Sequence, residues 1–139
     1  MNSALAASTL ETKQCVPCEG GVVKYSLADA TAQVAALPAW RLIQDGTRIC
    51  RDWQLKSFRD GIRLINTIGA LAEREQHHPD LHLESYRTVR VEIYTHAIGG
   101  LSENDFILAG YFFFYHCHIF KIKFTENFIN FKCIYIHNI

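Results

Sequence analysis

Three histidines and one aspartate form the part of this chain best suited to proton transfer. His77 and His78 are adjacent and are followed by Pro79, while His96 and Asp105 lie further along the chain. An imidazole changes its protonation readily near neutral pH, so it can accept a proton at one step and donate one at another. The pattern predicts general acid–base chemistry carried by these side chains.

The size and charge of the chain limit the other classes of function. Its 139 residues are 49% hydrophobic, which suits one domain with a hydrophobic core. Lys plus Arg and Asp plus Glu are both 14, so no basic surface is available to hold a phosphate backbone. We therefore expect no direct nucleic-acid ligand.

Cysteine usage and the first residues bear on the compartment. Five cysteines and an N-terminus without the apolar segment of a secretory signal indicate a reducing compartment. We predict a cytoplasmic location, and the Ala- and Ser-rich residues 1–13 leave an organelle as the alternative. The uncharged stretch 106–120 is too short to cross a bilayer, so we expect no membrane association.

The elements that must position the histidines begin with three helices that share one start signal. Ser26, Ser57 and Ser102 each precede an aspartate by three residues, as in the capping box that satisfies free backbone amides. The first helix is expected to stop before Pro38 and the second to reach about Gln76. The predicted apolar stripes are Leu27, Ala30, Val34 and Leu37 in the first helix, and Phe58, Ile62, Ile65, Ile68 and Ala72 in the second.

Four strands are predicted from an apolar alternation of period two. Two hairpins are expected, Trp40–Ile43 with Thr47–Trp53 around Asp45-Gly46, and Leu81–Leu83 with Val89–Ile93 around Ser85–Arg87. The fold class is therefore α+β, in the order α-ββ-α-ββ-α, with a four-stranded antiparallel sheet covered by helices on one face. His96 shares its parity with polar residues of the last strand, so it should emerge on the open face or at the strand end.

These residues resemble the signature of a known enzyme family. The pattern Glu73-x3-His77-His78-Pro79-x6-Tyr86-x9-His96-x8-Asp105 is similar to that of the pterin-4a-carbinolamine dehydratases, as is the order of elements. The resemblance covers Leu27 to Ala109 and includes Leu37-Pro-x-Trp40, Lys56-Ser-Phe58, His78-Pro-Asp80-Leu81 and Thr95-His-Ala-x-Gly-Gly-Leu-Ser-Glu-Asn-Asp105. We accordingly divide the chain into an N-terminal extension (1–25), a dehydratase-like domain (26–109) and an atypical aromatic-rich tail (110–139).

The resemblance implies a reaction and a site. The reaction is the dehydration of 4a-hydroxytetrahydropterin to quinonoid dihydropterin in pterin recycling, without a metal or another cofactor. The resemblance implies that His77, His78 and His96 transfer protons and that Asp105 orients them or stabilises charge, while the acid and the base stay unassigned. The implied pterin-binding residues are Gln76, His77, His78, Tyr94, Thr95, His96 and Ala97.

The resemblance also implies partners. Members of the family form homodimers or homotetramers, which we expect to use the sheet edges and the second helix. Animal members also serve as dimerisation partners of a homeodomain transcription factor. A non-catalytic interaction module is therefore the alternative function.

Several of these residues have a simpler structural interpretation. Asp105 sits where the third helix needs an acid in its first turn, so that role is the competing interpretation of its carboxylate. Glu73 is interpreted as a surface charge or a partner of a site residue, and Tyr86 as a residue of the hairpin turn. His82 lies outside the signature and is predicted to face solvent.

Cys15-Val-Pro-Cys18 has two possible explanations. Two cysteines at this spacing supply half of a tetrahedral zinc site, and the other ligands would have to come from His116, Cys117 or His118. No second Cys-x-x-Cys is present, so we favour a loop that packs near the first helix and predict no metal.

The C-terminal tail departs most from the family. Gly110 begins the run Tyr-Phe-Phe-Phe-Tyr, and neither helical nor alternating periodicity is clean beyond it. We hypothesise that residues 110–139 are foreign to the fold, which predicts a third helix cut short at Ala109 and an exposed, aggregation-prone aromatic segment.

Overall fold

The predicted order of helices and strands is confirmed. A computed structural model describes residues 7–10, 12–18 and 21–119 of the chain. The elements are α1 (Ala7–Leu10), α2 (Leu27–Ala35), β1 (Arg41–Ile43), β2 (Arg48–Gln54), α3 (Phe58–Glu75), β3 (Asp80–Glu84), β4 (Thr88–Ile93), a 3₁₀ turn (His96–Ile98) and α4 (Glu103–Ile119). The short α1 and the 3₁₀ turn were not predicted from the sequence.

The first two serine–aspartate pairs cap their helices as predicted. The Oγ atom of Ser26 accepts a hydrogen bond from the Asp29 amide at 3.1 Å, and the Oγ atom of Ser57 accepts one from the Asp60 amide at 3.2 Å. Each serine hydroxyl also donates to the carboxylate of its aspartate. The two helices therefore begin where a local side-chain contact satisfies free backbone amides.

The sheet is antiparallel throughout and has the strand order β1-β2-β4-β3. Both hairpins turn through left-handed residues: Gln44, Asp45 and Gly46 have φ of 49°, 54° and 79°, and Ser85 and Tyr86 have φ of 46° and 55°. Positive φ angles give a turn the twist that matches the strands beside it. The two predicted hairpins are thus joined side by side through β2 and β4.

The core lies between one face of the sheet and the helices. Val89, Val91 and Ile93 of β4 are all 0% exposed. The helix α3 approaches this face closely at Gly61, where a Cβ atom would lie 2.9 Å from Cδ1 of Leu83. Charged side chains occupy the opposite face, where Asp52 pairs with Arg90.

The predicted apolar stripes are partly wrong. Leu27 of α2 is 61% exposed, and Phe58 and Ile62 of α3 are 55% and 39% exposed. At about 100° per residue, Phe58 and Ile62 lie about 80° and 120° around the helix from the buried Ile68, so they turn away from the sheet. The core positions of α3 are Gly61, Leu64, Ile68, Leu71 and Ala72.

The prediction that the last helix stops at Ala109 is also wrong. The helix α4 continues through Gly110 to Ile119. Phe112 is 2% exposed and stacks on Trp40 with 6.4 Å between ring centroids. Burial of an aromatic ring exceeds the cost of about 1 kcal/mol for one glycine within a helix, which explains why the helix does not break there.

Residues 120–139 of the predicted tail lie outside the described part of the chain. The side chains of His116, Cys117 and His118, named above as alternative zinc ligands, also lie outside it. Within the described part, no helix combines the length and apolarity that crossing a membrane requires.

Candidate active site

The adjacent histidines follow the end of α3. Gln76 adopts the left-handed conformation with φ of 51°, and the His77 amide donates to the carbonyl of Ala72 at 3.1 Å. These are features of a Schellman helix end. His77 and His78 therefore lie beyond the last turn of the helix, in agreement with the predicted end near Gln76. They follow it as neighbouring residues, of which the first is buried and the second is exposed.

His77 makes a short contact with Asp105. Its Nε2 atom lies 2.7 Å from Oδ1 of the carboxylate, and the two side chains are 5% and 0% exposed. A carboxylate accepts hydrogen bonds, so a neutral His77 ring carries its proton on Nε2 and its lone pair on Nδ1. Asp105 thereby fixes both the orientation and the tautomer of His77.

The second carboxylate oxygen of Asp105 is held from another part of the chain. Oδ2 accepts from the Thr95 hydroxyl at 2.8 Å and from the Ser102 amide at 2.7 Å. Thr95 and Ser102 are both 0% exposed, and their hydroxyl oxygens are 2.8 Å apart. Asp105 thus joins the end of α3, the end of β4 and the start of α4.

The third predicted capping box is consequently incomplete. Asp105 reaches back to the Ser102 amide, as a capping acid should, but the Ser102 hydroxyl lies against Thr95 instead of accepting from the Asp105 amide. One carboxylate therefore serves the helix start and the contact with His77 together. The structural interpretation of Asp105 and its proposed site role do not exclude each other.

His78 is exposed at the surface. Its Nε2 atom lies 2.7 Å from Oε1 of Glu73. Of the two interpretations offered for Glu73, this contact agrees with that of a partner of a site residue. Pro79 follows and favours an extended backbone at His78, which turns the imidazole away from its buried neighbour. With Nε2 donating to Glu73, Nδ1 of a neutral His78 ring remains as the proton acceptor.

His96 lies where the sequence placed it, at the end of β4 on the side of its polar residues. It begins the 3₁₀ turn, and its ring lies against that of Tyr94, with centroids 4.0 Å apart and planes tilted by 34°. Thr95 pairs with Gly100 across this loop, its amide donating to the Gly100 carbonyl at 2.8 Å. The pairing holds Thr95 inward and leaves His96 exposed beside it.

Arg48 connects the two predicted pterin-binding segments and was missed from the sequence. Its guanidinium donates to Asp80 at 2.8 Å and to Glu92 at 3.2 Å. Its central carbon also lies 3.8 Å from the centroid of the Tyr94 ring. Asp80 begins β3 just after His78-Pro79, so one cation holds the chain beside the first segment and Tyr94 within the second. The strand register, in which Ile49 faces Ile93, brings Arg48 to this position.

The remaining residues of the predicted site and signature are exposed. Gln76 and Ala97 are exposed, and so is Tyr86, which belongs to the β3–β4 turn as expected. His82 is exposed, in agreement with its prediction, and its Nε2 atom is 4.0 Å from Glu92.

The Cys15–Cys18 loop packs against the site, and not near α2 as predicted. The amide of Cys15 donates to Oε2 of Glu75 at 3.2 Å, and the side chain of Asn104 bonds both the amide and the carbonyl of Val16, at 3.0 and 2.7 Å. Burial, with a smaller effect of nearby carboxylates, raises the pKa of Cys15 to about 12. Among the described residues, no group of three or more potential ligands can hold a metal ion.

A cavity of about 490 Å³ lies between this loop and the end of α3. Of the described residues, its walls include Cys15, Arg74 and Gln76 but none of the three candidate histidines. We therefore do not assign the pterin to this cavity.

The candidate site combines exposed histidines with a buried histidine and a buried aspartate. Two imidazoles, His78 and His96, are accessible from solvent, while His77 is buried against a carboxylate whose two oxygens are both hydrogen-bonded. Exposed imidazoles can exchange protons with a bound molecule, and a buried carboxylate can stabilise positive charge on the third.

Comparison with known proteins identifies relatives of this chain. Residues 23–112 match the family model described as pterin 4 alpha carbinolamine dehydratase. The chain is 44% identical over 106 residues to pterin-4-alpha-carbinolamine dehydratase 2, mitochondrial, of Arabidopsis thaliana, covering 72% of this chain and 55% of that protein. It is 42% identical over 100 residues to a putative pterin-4-alpha-carbinolamine dehydratase of Dechloromonas aromatica, covering 72% and 87%.

A solved structure has a similar fold. It is the crystal structure of a transcriptional coactivator/pterin dehydratase from Brucella melitensis, with a TM-score of 0.60 and 23% sequence identity. The similarity covers 65% of this chain and 95% of that one. At this identity the comparison supports the fold alone.

Proposed function

We propose that this chain, which belongs to the pterin 4 alpha carbinolamine dehydratase family, is a hydro-lyase that converts 4a-hydroxytetrahydropterin to quinonoid dihydropterin and water. The family match over residues 23–112 supports the reaction, because all the signature residues fall within it. The single observation in the structure that carries the site is the buried contact between His77 and Asp105.

The reaction needs two proton transfers. The C4a–O bond breaks as the hydroxyl takes up a proton and leaves as water. N5 of the pterin gives up its proton, and its electron pair forms the new double bond to C4a. An imidazolium can supply the first proton and a neutral imidazole can accept the second, so histidines suffice as acid and base.

The exposure of the three histidines suggests how they divide this work. His78 and His96 are exposed and meet the substrate directly. His77 is buried and is held at Nε2 by Asp105, whose carboxylate stabilises positive charge on the ring when it takes part in proton transfer. Which of the exposed rings acts as acid and which as base stays open in this proposal.

The pterin is proposed to lie between two short segments. Gln76 to His78 would hold one edge and Tyr94 to Ala97 the other, with backbone groups bonding the amide-like part of the ring. Arg48 supports this arrangement because it contacts Asp80 beside the first segment and Tyr94 within the second. Segments restrained in this way lose little freedom when the substrate binds.

Substitution of the histidines tests the proposed reaction. Formation of quinonoid dihydropterin should fall about 10²- to 10⁴-fold in His78→Ala, the usual contribution of one general acid or base. His82→Ala is the matched control, since it removes another exposed histidine outside the site and should leave the rate within about twofold. Equal rates for the two variants would contradict the proposal.

The alternative function, an interaction module, is favoured by one surface. Phe58 and Ile62 are 55% and 39% exposed on one side of α3. We propose this side of α3 as the surface for homodimer or homotetramer formation, with the edge strands β1 and β3 as further contacts. Light scattering on Phe58→Ser and Ile62→Ser should detect a smaller assembly. A binding protein without catalysis would lose assembly here and be indifferent to His78→Ala.

The compartment and the tail are also proposals. We propose a cytoplasmic location, with an organelle as the alternative because the Arabidopsis relative is named mitochondrial. The family match ends at residue 112, three residues beyond the domain boundary that we drew at Ala109. The hypothesis of a foreign tail therefore concerns the residues that follow Phe112. Sequencing the transcript across this junction tests it, and an uninterrupted reading frame with a well-behaved product would count against it.

A further inference from the structure

The side chain of Cys18 contacts His77 on the ring nitrogen that does not face Asp105. Its Sγ atom lies 3.6 Å from Nδ1 of His77, and the Asn104 amide donates to the same sulfur at 3.5 Å. Nothing in the signature of the family explains this contact. It gives the Cys-x-x-Cys segment a place next to His77.

The loop that carries Cys18 is held firmly for a segment without regular structure. Asn104 bonds the amide and the carbonyl of Val16, and Glu75 accepts from the amide of Cys15. These partners flank the site, since Glu75 ends α3 just before His77 and Asn104 precedes Asp105. The position of Cys18 thus follows from the same two helix ends that position His77 and Asp105.

The contacts from Asp105 through His77 and Cys18 to Asn104 allow one consistent assignment of hydrogen-bond donors and acceptors. Asp105 accepts at Oδ1, so neutral His77 donates from Nε2 and presents a lone pair at Nδ1. The Asn104 amide group can only donate to sulfur, so the thiol hydrogen of Cys18 is free to point at Nδ1. Each atom then has a partner of the opposite kind.

We infer that Cys18 is a positioning residue for the dehydration: its S–H group donates to Nδ1 of His77 and, together with Asp105 at Nε2, holds the ring in one orientation. The consequence for activity rests on the function proposed above, whereas the hydrogen bond does not. A ring held at both nitrogens stays aligned with the carboxylate that stabilises its positive charge. Outer partners of functional histidines commonly fix their orientation in this manner.

Nitrogen NMR of the full-length chain tests this hydrogen bond directly. Spectra that correlate the ring nitrogens of His77 with its carbon-bound protons should show Nε2 protonated and Nδ1 without a bonded proton in the wild type. Cys18→Ala should keep Nε2 protonated, because Asp105 still accepts from it, and should shift the Nδ1 signal to the frequency of a lone pair that has no donor. Cys18→Ser retains a donor and should preserve the wild-type pattern, as should the matched control Cys15→Ala, whose thiol bonds the Asn104 carbonyl instead.

Kinetics on the same proteins separate positioning from packing. Loss of one such hydrogen bond predicts that kcat falls about threefold to tenfold in Cys18→Ala at unchanged KM, and that Cys18→Ser recovers most of it. Absence of dehydratase activity in the wild type would refute the proposed function and leave the state of Nδ1 readable. A wild-type ring protonated at Nδ1 instead of Nε2, or an Nδ1 signal unchanged in Cys18→Ala, would overturn the inference even in an active enzyme.

Discussion

The Nε2 atom of His77 lies 2.7 Å from Oδ1 of Asp105, although 28 positions separate the two residues in the chain. Both side chains are buried, and the other oxygen of the carboxylate is held by Thr95 and by the Ser102 amide. A buried carboxylate with every acceptor engaged is rigid, because any rotation would leave polar groups unpaired. This rigidity makes Asp105 the centre of the proposed site.

Replacing this carboxylate should reduce both activity and stability. Asp105→Asn puts an NH₂ group against one of the donors that now bonds the carboxylate, so a buried polar group loses its partner. We expect a destabilisation of about 2 kcal/mol in urea unfolding and a loss of kcat of about 100-fold or more, since the His77 tautomer is no longer fixed. The matched control is Asp60→Asn. Asp60 follows Ser57 by three residues at the start of α3, as Asp105 follows Ser102 at the start of α4. Asp60→Asn should cost about 1 kcal/mol or less and spare kcat. Identical effects of the two substitutions would reduce Asp105 to a helix cap.

Arg48 should affect substrate binding more than chemistry. Arg48→Ala removes the cation that contacts Asp80 and Tyr94, so both proposed binding segments gain freedom. We expect KM to rise about tenfold with a smaller change in kcat, as for loss of one charged hydrogen-bonding group. Arg41 supplies the control, because it is another arginine in an ion pair with a sheet carboxylate, Asp52. Steady-state kinetics in which Arg41→Ala and Arg48→Ala behave alike would remove Arg48 from the site.

Cys15 predicts a specific dependence of stability on alkaline pH. Its pKa is raised from 9.0 to about 12, mainly by burial, so the folded protein retains a proton that the unfolded chain loses between these values. Stability from this group is therefore full below pH 9 and declines as the pH rises toward 12. Urea unfolding between pH 8.5 and about 10.5 should show a shallower decline in Cys15→Ala than in the wild type, by this linkage. Parallel curves would show that the Cys15 thiol titrates alike in the folded and unfolded chain.

The first turn beyond Ala109 should be part of the folded domain. Phe112→Ala removes a buried ring that stacks on Trp40, and we expect it to cost about 3 kcal/mol. Phe58→Ala is the control, since Phe58 is 55% exposed, and should cost less than about 1 kcal/mol in the absence of assembly. Truncation after Ala109 should likewise destabilise more than truncation after Phe112. A chain ending at Ala109 that is as stable as the longer one would restore the boundary drawn from the sequence.

The sequence predicted features that depend on neighbouring residues. The helix starts at Ser26 and Ser57 and the turn at Asp45-Gly46 are decided by side chains and φ preferences within three or four positions. These helix starts and this turn can therefore be predicted from the sequence alone. The prediction that Phe58 and Ile62 face the core was wrong. The apolar residues of this helix fit more than one choice of buried face, and only packing against the sheet selects one.

Contacts between distant segments could not be obtained in this way. Arg48 reaches Tyr94 because of the register between β2 and β4, which one sequence does not specify. Cys18 reaches His77 because Asn104 fixes a loop that has no periodic pattern of its own. Continuation of α4 past Gly110 was missed for a related reason, since the burial of Phe112 against Trp40 is a tertiary effect that overrides local propensity.

The most direct test of the proposed site is whether one bound pterin changes the signals of all three candidate histidines. Titration of the isotope-labelled chain with a dihydropterin that cannot lose water, followed by the imidazole Cε1–H signals, reports on each ring separately. We predict that the signals of His77, His78 and His96 shift together with a single dissociation constant, while the signal of His82 stays unchanged. Shifts confined to one of the three rings, or separate dissociation constants among them, would contradict a common site.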